Sequence, residues 1–328
     1  MIHRIVWYLL LPATLLGQES WRGRYRVETT VSGRAEKVEE VRTVSYAVLD
    51  SSSARLFRIE KHIPYDVVLP SVAVFETGNL LLVESLNSSV EIYGPMGEFI
   101  AASQLVKGAE LDYERIIKFA VHDSTAALLV SDNSLSSPLL VVLTDRGGLL
   151  FEQRIDGRYA AGVAFSSDGR IVAAGTYQWV DGQPRYSLSF VAQGGEVRGT
   201  VGVGFSRGMF SDDGRRFLAY TNRTASIIEL QGLKQSWSYT SPRGRLVIDA
   251  TWVQDGIALI TASEPRLEKG EWRYSSGQLH RIGQDGRETR IEQLPLKEFR
   301  SVRLKQMQTP EGQAGITVEL DGKVYQVK

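Results

Sequence analysis

The four histidines are the side chains of this sequence best suited to bind a metal ion or to transfer a proton near neutral pH. They are His3, His62, His122 and His280. They lack the HxxxH or HxH spacing by which one helix or strand presents two imidazoles to the same ion. We therefore expect no metal and no other cofactor. Calcium stays open, because carboxylates and backbone carbonyls can bind it without a recognisable motif.

Acidic pairs are the next candidates for chemistry, since a general acid in a hydrolase or lyase is often a carboxylic acid. Glu39-Glu40 and Asp212-Asp213 are two such pairs. Asp212-Asp213 precedes Gly214, however, in a pattern that is typical of turns and that recurs along the chain. The glycine-rich stretch 202–208 precedes further strand and turn patterns, whereas a dinucleotide loop precedes a helix. The sequence therefore predicts no catalytic residues.

Two segments combine tryptophan, tyrosine and arginine, which are common anchors at protein interfaces. They are residues 177–186 and 264–274, and both exceed the matching connections elsewhere in the chain. Long loops on a rigid frame often carry recognition groups, so we expect these segments to bind a partner. The candidate binding residues are Trp179, Arg185, Tyr186, Arg266, Trp272 and Tyr274, with Tyr113 and Arg158 from neighbouring connections.

Two arrangements of these aromatic side chains remain open. If the segments form one site, Trp179 and Trp272 should lie at the same rim of the molecule. If the segments are only long hairpins, their aromatic rings should pack on neighbouring blades.

The frame that must position these segments is a repeat of apolar runs and short turns, which returns about every 45 residues. It reads AGVAFSSDGRIVAAG at 161–175, GMFSDDGRRFLAY at 208–220 and DATWVQDGIALIT at 249–261. A second glycine turn follows each first turn and predicts two successive hairpins per unit. Nearly continuous apolar runs, such as PLLVVL at 138–143, predict strands that are covered on both faces.

The repeat resembles known propeller repeats. The segment SVAVFETGNLLLVESLNSSVEIYGPMGEFI, at 71–100, resembles an NHL repeat, with Glu84 and Asn87 where that motif has Asp and Asn. The units with FSSDG at 165–169 and FSDDG at 210–214 resemble Tol-type and WD-related repeats, without the Trp-Asp endings of true WD repeats. The resemblance implies an all-β fold, a single β-propeller. It also implies a binding platform, although some similar propellers are hydrolases, lyases or dehydrogenases.

The number of blades follows from the period. At about 44 residues per blade, residues 18–328 make about seven blades. Residues 18–63 span about one period and contain strand patterns at 25–31, 41–49 and 55–59. We therefore expect one seven-bladed domain over 18–328. The alternative is six blades with additional N-terminal strands.

The N-terminal residues 1–17 have the pattern of a secretory signal peptide. Arg4 precedes an apolar stretch that is too short to span a bilayer, and small and polar residues follow it. We expect cleavage after Gly17, a secreted periplasmic or extracellular protein, and no stable membrane insertion. The alternatives are a retained anchor and a buried first strand. The chain has no cysteine, so disulfide chemistry neither supports nor opposes export.

Charge narrows the choice of partner. The formal net charge is zero, and lysine and arginine are scattered along the chain, so the basic footprint of a nucleic-acid-binding protein is missing. We expect a monomer that binds a protein, peptide or glycan through one loop face. The alternative is a propeller enzyme, a hydrolase or lyase acting on sugars or lactones at the channel mouth. A structural partner in an envelope assembly is the third alternative, which a large exposed apolar patch would support.

Overall fold

The computed structural model describes residues 18–19, 23–32, 41–64, 67–85, 87–106, 116–132, 135–268, 271–308 and 314–327. Every regular element in these ranges is a β-strand. No described segment therefore forms a helix of the length and hydropathy needed to cross a bilayer. The predicted signal peptide at 1–17 and Tyr113 lie outside the described residues.

The described strands belong to two compact units, and the first lies within Gly17–Thr240. In its described part we number five antiparallel sheets, each with four strands that pair in chain order. Sheet 1 contains β1 (Gln18–Glu19), β2 (Tyr25–Ser32), β3 (Val41–Asp50) and β4 (Arg55–Pro64). Sheet 2 contains β5 (Ser71–Val74), β6 (Leu80–Glu84), β7 (Ser89–Tyr93) and β8 (Phe99–Gln104).

The remaining sheets of the first unit follow the same order. Sheet 3 contains β9 (Ile116–His122), β10 (Thr125–Ser131), β11 (Leu139–Thr144) and β12 (Leu149–Arg154). Sheet 4 contains β13 (Tyr159–Phe165), β14 (Ile171–Val180), β15 (Gln183–Ala192) and β16 (Val197–Val201). Sheet 5 contains β17 (Arg207–Phe210), β18 (Arg216–Tyr220), β19 (Thr224–Glu229) and β20 (Lys234–Thr240).

The second unit lies within Ser241–Lys328. Sheet 6 contains β21 (Arg245–Val253), β22 (Gly256–Ser263), β25 (Gln278–Gly283) and β26 (Glu288–Gln293). A small sheet contains β23 (Arg266–Glu268), β24 (Glu271–Ser275) and β27 (Glu298–Phe299). Sheet 7 contains β28 (Val302–Gln308), β29 (Ala314–Leu320) and β30 (Lys323–Val327).

The all-β prediction is confirmed, and one sheet follows another along the chain with about the predicted period. The predicted strands of residues 18–63 are β2, β3 and β4, which belong to the four-stranded sheet 1. Sheets 1 to 7 of the described chain are compatible with seven blades. The repeat did not predict the small sheet, because β23 and β24 are inserted between β22 and β25 of sheet 6, and β27 follows β26.

Apolar side chains join consecutive sheets within each unit. Phe75 and Leu81 of sheet 2 share a buried cluster with Leu128 and Val141 of sheet 3. Similar clusters join sheets 1 and 2, 3 and 4, 4 and 5, and 6 and 7. A strand in the middle of such a stack is covered on both faces, and β10 is buried from Ala126 to its end. This packing explains the nearly continuous apolar runs of the sequence.

Serine and aspartate close the first turn of sheets 4 and 5 in the same way. The Ser166 hydroxyl donates a hydrogen bond to Asp168 Oδ1 at 2.6 Å, and the Ser211 hydroxyl donates to Asp213 Oδ1 at 2.6 Å. The glycine that follows each aspartate has a positive φ, 70° at Gly169 and 65° at Gly214. Asp212-Asp213 is therefore part of a hairpin turn, as the sequence pattern indicated.

Two glycines of sheet 4 allow a close approach of the chain. A Cβ at Gly175 would lie 2.5 Å from Phe205 Cδ1 and 2.6 Å from the Phe205 carbonyl oxygen. A Cβ at Gly162 would lie 2.8 Å from the Ser206 carbonyl oxygen. The connection 202–206 between sheets 4 and 5 can therefore lie directly on β13 and β14 because these positions carry no side chain.

Replacing Gly175 by alanine should destabilise the protein, because the new methyl group meets backbone and a fully buried ring. We expect Gly175→Ala to lower the free energy of unfolding by about 1–3 kcal/mol in urea denaturation. Gly194→Ala is the matched control, since a Cβ there meets nothing within 4 Å. Equal midpoints for the two variants would contradict the close approach.

The stability contribution of Asp213 should depend on pH. The Ser211 hydroxyl, followed by the backbone N–H of Arg215, stabilises the charged carboxylate and holds the pKa of Asp213 below its ordinary value of 3.8. A carboxyl with a lowered folded-state pKa stabilises the fold above its unfolded pKa, and the contribution disappears as pH falls through the folded value. The melting temperature of Asp213→Asn should therefore be below wild type at pH 6 and approach it below about pH 4.

Asp212→Asn is the control for this pH dependence, because it removes the adjacent carboxylate and keeps the Ser211–Asp213 hydrogen bond. Its difference from wild type should change less with pH. A deficit of Asp213→Asn that is constant between the two pH values would contradict the assigned role of Ser211.

Candidate functional site

Residues 177–186 form the outer half of a β-hairpin. The β14–β15 ladder continues to the pair Val180↔Gln183, and a two-residue turn joins the strands. Asp181 and Gly182 have φ angles of 52° and 74°, as the type I′ hairpin turn requires at both of its central residues. The segment is therefore held by a continuous ladder of backbone hydrogen bonds.

Three tyrosines lie side by side across sheet 4. Tyr159 of β13 is opposite Tyr177 of β14, which is opposite Tyr186 of β15. The ring centroids of Tyr159 and Tyr177 are 5.2 Å apart, and those of Tyr177 and Tyr186 are 6.2 Å apart. Directly opposite residues of a sheet share one face, so these rings form a continuous row. We call Tyr159, Tyr177 and Tyr186 the tyrosine row.

Trp179 extends this row toward the tip of the hairpin. It lies two residues beyond Tyr177 on the same strand, and alternate residues of a strand share a face. The side chain of Trp179 is 61% exposed and that of Tyr186 is 37% exposed. We call Trp179 and the tyrosine row the aromatic face. Gln178 and Arg185 are paired with each other and occupy the opposite face of the hairpin.

The connection between sheets 3 and 4 borders the aromatic face. The backbone N–H of Arg158 donates to the Tyr177 carbonyl oxygen at 3.1 Å, and its guanidinium donates to the Leu135 carbonyl oxygen. Gly157 has a φ of 116°, and a Cβ there would lie 2.4 Å from Thr176 Oγ1. The glycine thus brings the connection against β14 and places Arg158 next to the tyrosine row.

The connection between sheets 4 and 5 borders the face on the side of β15. A Cβ at Gly204 would lie 3.6 Å from Tyr186 Cδ2, so the Tyr186 ring lies over this glycine. The same connection is the one that rests on Gly162 and Gly175. The position of Tyr186 therefore depends on the packing between sheets 4 and 5.

The second unit contains the other predicted binding residues in its small sheet. Tyr274 is paired with Phe299, and their rings stack with centroids 5.8 Å apart. Phe299 is fully buried, so the Tyr274 ring packs on the core of this unit. Trp272 is half-buried opposite Leu267, which is 55% exposed. Arg266, opposite Arg273, occupies the other face.

The described histidines are hydrogen-bonded to protein groups. His62 Nδ1 lies 3.2 Å from Thr43 Oγ1, and His122 Nε2 lies 3.0 Å from the Ser167 carbonyl oxygen. His280 contacts Thr261 and Glu288 through its two ring nitrogens. Within the described ranges no group of three or more His, Asp or Glu side chains is placed to hold a metal ion.

One cluster of sheet 6 has the composition of a catalytic triad. His280 Nδ1 contacts Glu288 Oε1, and His280 Nε2 lies 2.9 Å from Thr261 Oγ1. Arg245 Nη2 also donates to Thr261 Oγ1 at 2.8 Å. Thr261 is completely buried, however, so a substrate carbonyl cannot reach its hydroxyl in this conformation. The cluster is a hydrogen-bond network within the sheet, and it leads from the buried Thr261 and His280 to the exposed Glu288.

Residues 204–208 match the Gly-x-Ser-x-Gly pattern of serine hydrolases, which the sequence analysis missed. Ser206 lies in the connection before β17, and its hydroxyl donates to the Tyr220 carbonyl oxygen at 3.2 Å. A strand follows it and not the helix of a nucleophile elbow. His122 of sheet 3 does contact sheet 4, but it does so at Gly169 and Phe165, near the first turn of that sheet.

The repeated four-stranded sheets and the similarity to solved structures define a β-propeller with WD40-like repeats. No family model matches the sequence, and no curated protein matches it. The fold is similar to that of the Dos1 propeller, with 10% identity, a TM-score of 0.60, and coverage of 94% of this chain and 80% of that chain.

Two further propellers are similar at comparable identity. The C-terminal WD40 domain of Sif2 has 10% identity and a TM-score of 0.55, with 92% of this chain and 80% of that chain covered. Dihydro-heme d1 dehydrogenase NirN, solved in complex with DHE, has 12% identity and a TM-score of 0.56. That match covers 95% of this chain but 64% of NirN, less than two thirds of its length. At these identities the similarity shows the fold alone.

Removing His280 should destabilise the protein, because its hydrogen bonds to Thr261 and Glu288 are lost together with the packing of its buried ring. We expect His280→Ala to lower the free energy of unfolding by about 2–4 kcal/mol. His62→Ala is the control, since His62 is exposed and has one described hydrogen bond. Urea denaturation of both variants measures the difference, and a His280 effect no larger than that of His62 would contradict the hydrogen-bond network.

Proposed function

We propose that this propeller is a binding scaffold and that the aromatic face is its partner-binding surface. The partner is a protein, peptide or glycan. The observation that carries the proposal is the exposure of Trp179 and Tyr186 on a hairpin whose outer half contains no fully buried residue. On β14 the last buried residue is Thr176, and on β15 the first is Leu188.

Energetics favour such a surface for binding. Tryptophan and tyrosine dominate the free energy of many interfaces, because they bury a large area and fix few torsion angles. The ladder of β14 and β15 fixes the backbone before a partner arrives, which lowers the entropic cost of association. A tight hairpin with exposed rings is therefore suited to present anchors to a partner.

We also propose supporting roles for the remaining candidate residues. Arg158 borders the aromatic face and is placed to hydrogen-bond a ligand at its edge. Trp272, with the exposed Leu267, provides a second apolar surface in the small sheet. Arg185 and Arg266 occupy the faces opposite to Trp179 and Trp272, so we expect a smaller contribution from them. That Trp179 and Trp272 share one rim stays a prediction.

We further propose that the scaffold acts as a secreted monomer in the periplasm or outside the cell. The support is the signal-like pattern of residues 1–17 and the balanced charge of the chain. Signal processing would be visible as an N-terminus at residue 18 in the exported protein, measured by mass spectrometry.

Replacing Trp179 should weaken binding and leave the fold intact. Arrays of immobilised polysaccharides and of synthetic peptides supply the probes, and titration gives the dissociation constant of each hit. We expect Trp179→Ala to weaken binding by about 2 kcal/mol or more, as for other central aromatic anchors. Its melting temperature should match wild type, because the side chain is mostly exposed.

Gln178→Ala is the control for this experiment, since Gln178 is exposed on the opposite face of the same strand. It should bind as wild type does. Hits that bind Trp179→Ala and wild type equally, or a wild-type protein without any hit, would contradict the proposal.

A further inference from the structure

The spacing of the tyrosine row restricts what can bind to it. An aliphatic or proline ring that inserts between two aromatic rings needs their centroids about 7–8 Å apart, twice the optimal carbon–carbon contact distance. The centroids of neighbouring rings in the row are 5.2 and 6.2 Å apart. The row therefore has no slot for a side chain between its rings, and a ligand must lie across their surface.

The shape of the surface favours a ligand with a flat apolar side. The planes of neighbouring rings in the row are inclined by 31° and 46°, so the rings are tilted and in mutual contact. Trp179 extends the surface along β14, where it is 61% exposed. The face of an aromatic ring is electron-rich and attracts the polarised C–H groups of a ligand that rests on it.

The side chains of the aromatic face also favour an uncharged ligand. Its side chains are one indole and three phenols, which carry no charge at neutral pH. The nearby Arg158 donates to the Leu135 carbonyl oxygen, and Arg185 is on the opposite face of the hairpin. The aromatic face itself therefore presents uncharged side chains, and the guanidinium of Arg158 lies only at its border. Phenolic hydroxyls can hydrogen-bond the hydroxyl groups of a neutral ligand.

We infer that the aromatic face binds a glycan, a neutral polysaccharide or oligosaccharide whose sugar rings lie flat on Trp179 and across the tyrosine row. A pyranose has an apolar side of C–H groups and a rim of hydroxyls, which matches a flat aromatic surface with polar tips. This inference rests on the proposed function and specifies its ligand class.

Affinity electrophoresis of the full-length protein tests this inference. The probes in the gel are starch, xylan, mannan and hydroxyethylcellulose as neutral chains, with polygalacturonate as an acidic chain. We expect at least one neutral chain to retard the wild-type protein. Trp179→Ala should raise the dissociation constant about thirtyfold, and Trp179→Tyr should retain most of the affinity because it keeps a ring for stacking. Tyr186→Ala should also weaken binding.

Gln178→Ala is the matched control from the opposite face, and it should migrate as wild type does. Binding of a neutral chain should change little between about 50 and 500 mM salt, whereas an ionic contact would weaken. Retardation by polygalacturonate alone, with loss at high salt, would overturn the inference of a neutral ligand.

The outcomes also separate this inference from the proposed function. Binding of synthetic peptides that depends on Trp179, without retardation by any glycan, would overturn the glycan assignment and leave the binding scaffold standing. Glycan retardation that persists unchanged in both Trp179→Ala and Tyr186→Ala would overturn the assignment of the site. A protein that binds neither glycans nor peptides would refute both proposals.

Discussion

Burial of each sheet against its neighbours within the same unit is the interaction on which the described units depend, and sheets 2, 3 and 4 are covered in this way on both faces. Leu80, Leu81 and Leu82 of β6 are all buried, and the side chains of β6 belong alternately to two different clusters. One such sheet alone would expose an apolar surface, so each is stable only within the stack. The packing uses the middle of the strands and leaves their ends and connections for other roles.

The aromatic face depends on this packing although it contributes little to it. The connection 202–206 rests on Gly162 and Gly175 of sheet 4, and the Tyr186 ring lies over Gly204 of that connection. On the other side, Gly157 brings the preceding connection against β14. A change in the packing of sheet 4 against sheet 3 or sheet 5 would therefore displace the connections that border the aromatic face. The aromatic rings on the hairpin would be affected only through those connections.

The repeat predicted the sheets well, because apolar runs and the turn residues between them are local properties of the sequence.

The repeat could not predict the tyrosine row. Tyr159 lies opposite Tyr177 only after an irregularity in the β13–β14 register between Ala160 and Gly162, and a bulge leaves no clear sequence signal. Likewise the stacking of Tyr274 depends on Phe299, which the small sheet brings to it from a distant position. The expanded connection directed attention to Trp179, but whether its ring is exposed or packed stayed open until the structure placed it at 61% exposure.

The type I′ turn at Asp181-Gly182 has a consequence for how the protein can diversify. Gly182 has a φ of 74°, which favours glycine at this one position, but no residue between Thr176 and Leu188 is buried. Substitutions of exposed residues away from the core usually change stability little, so replacements on the strands near the tip should cost little. The outer half of the β14–β15 hairpin can therefore gain, lose or exchange aromatic side chains during evolution while the packing of sheet 4 stays the same.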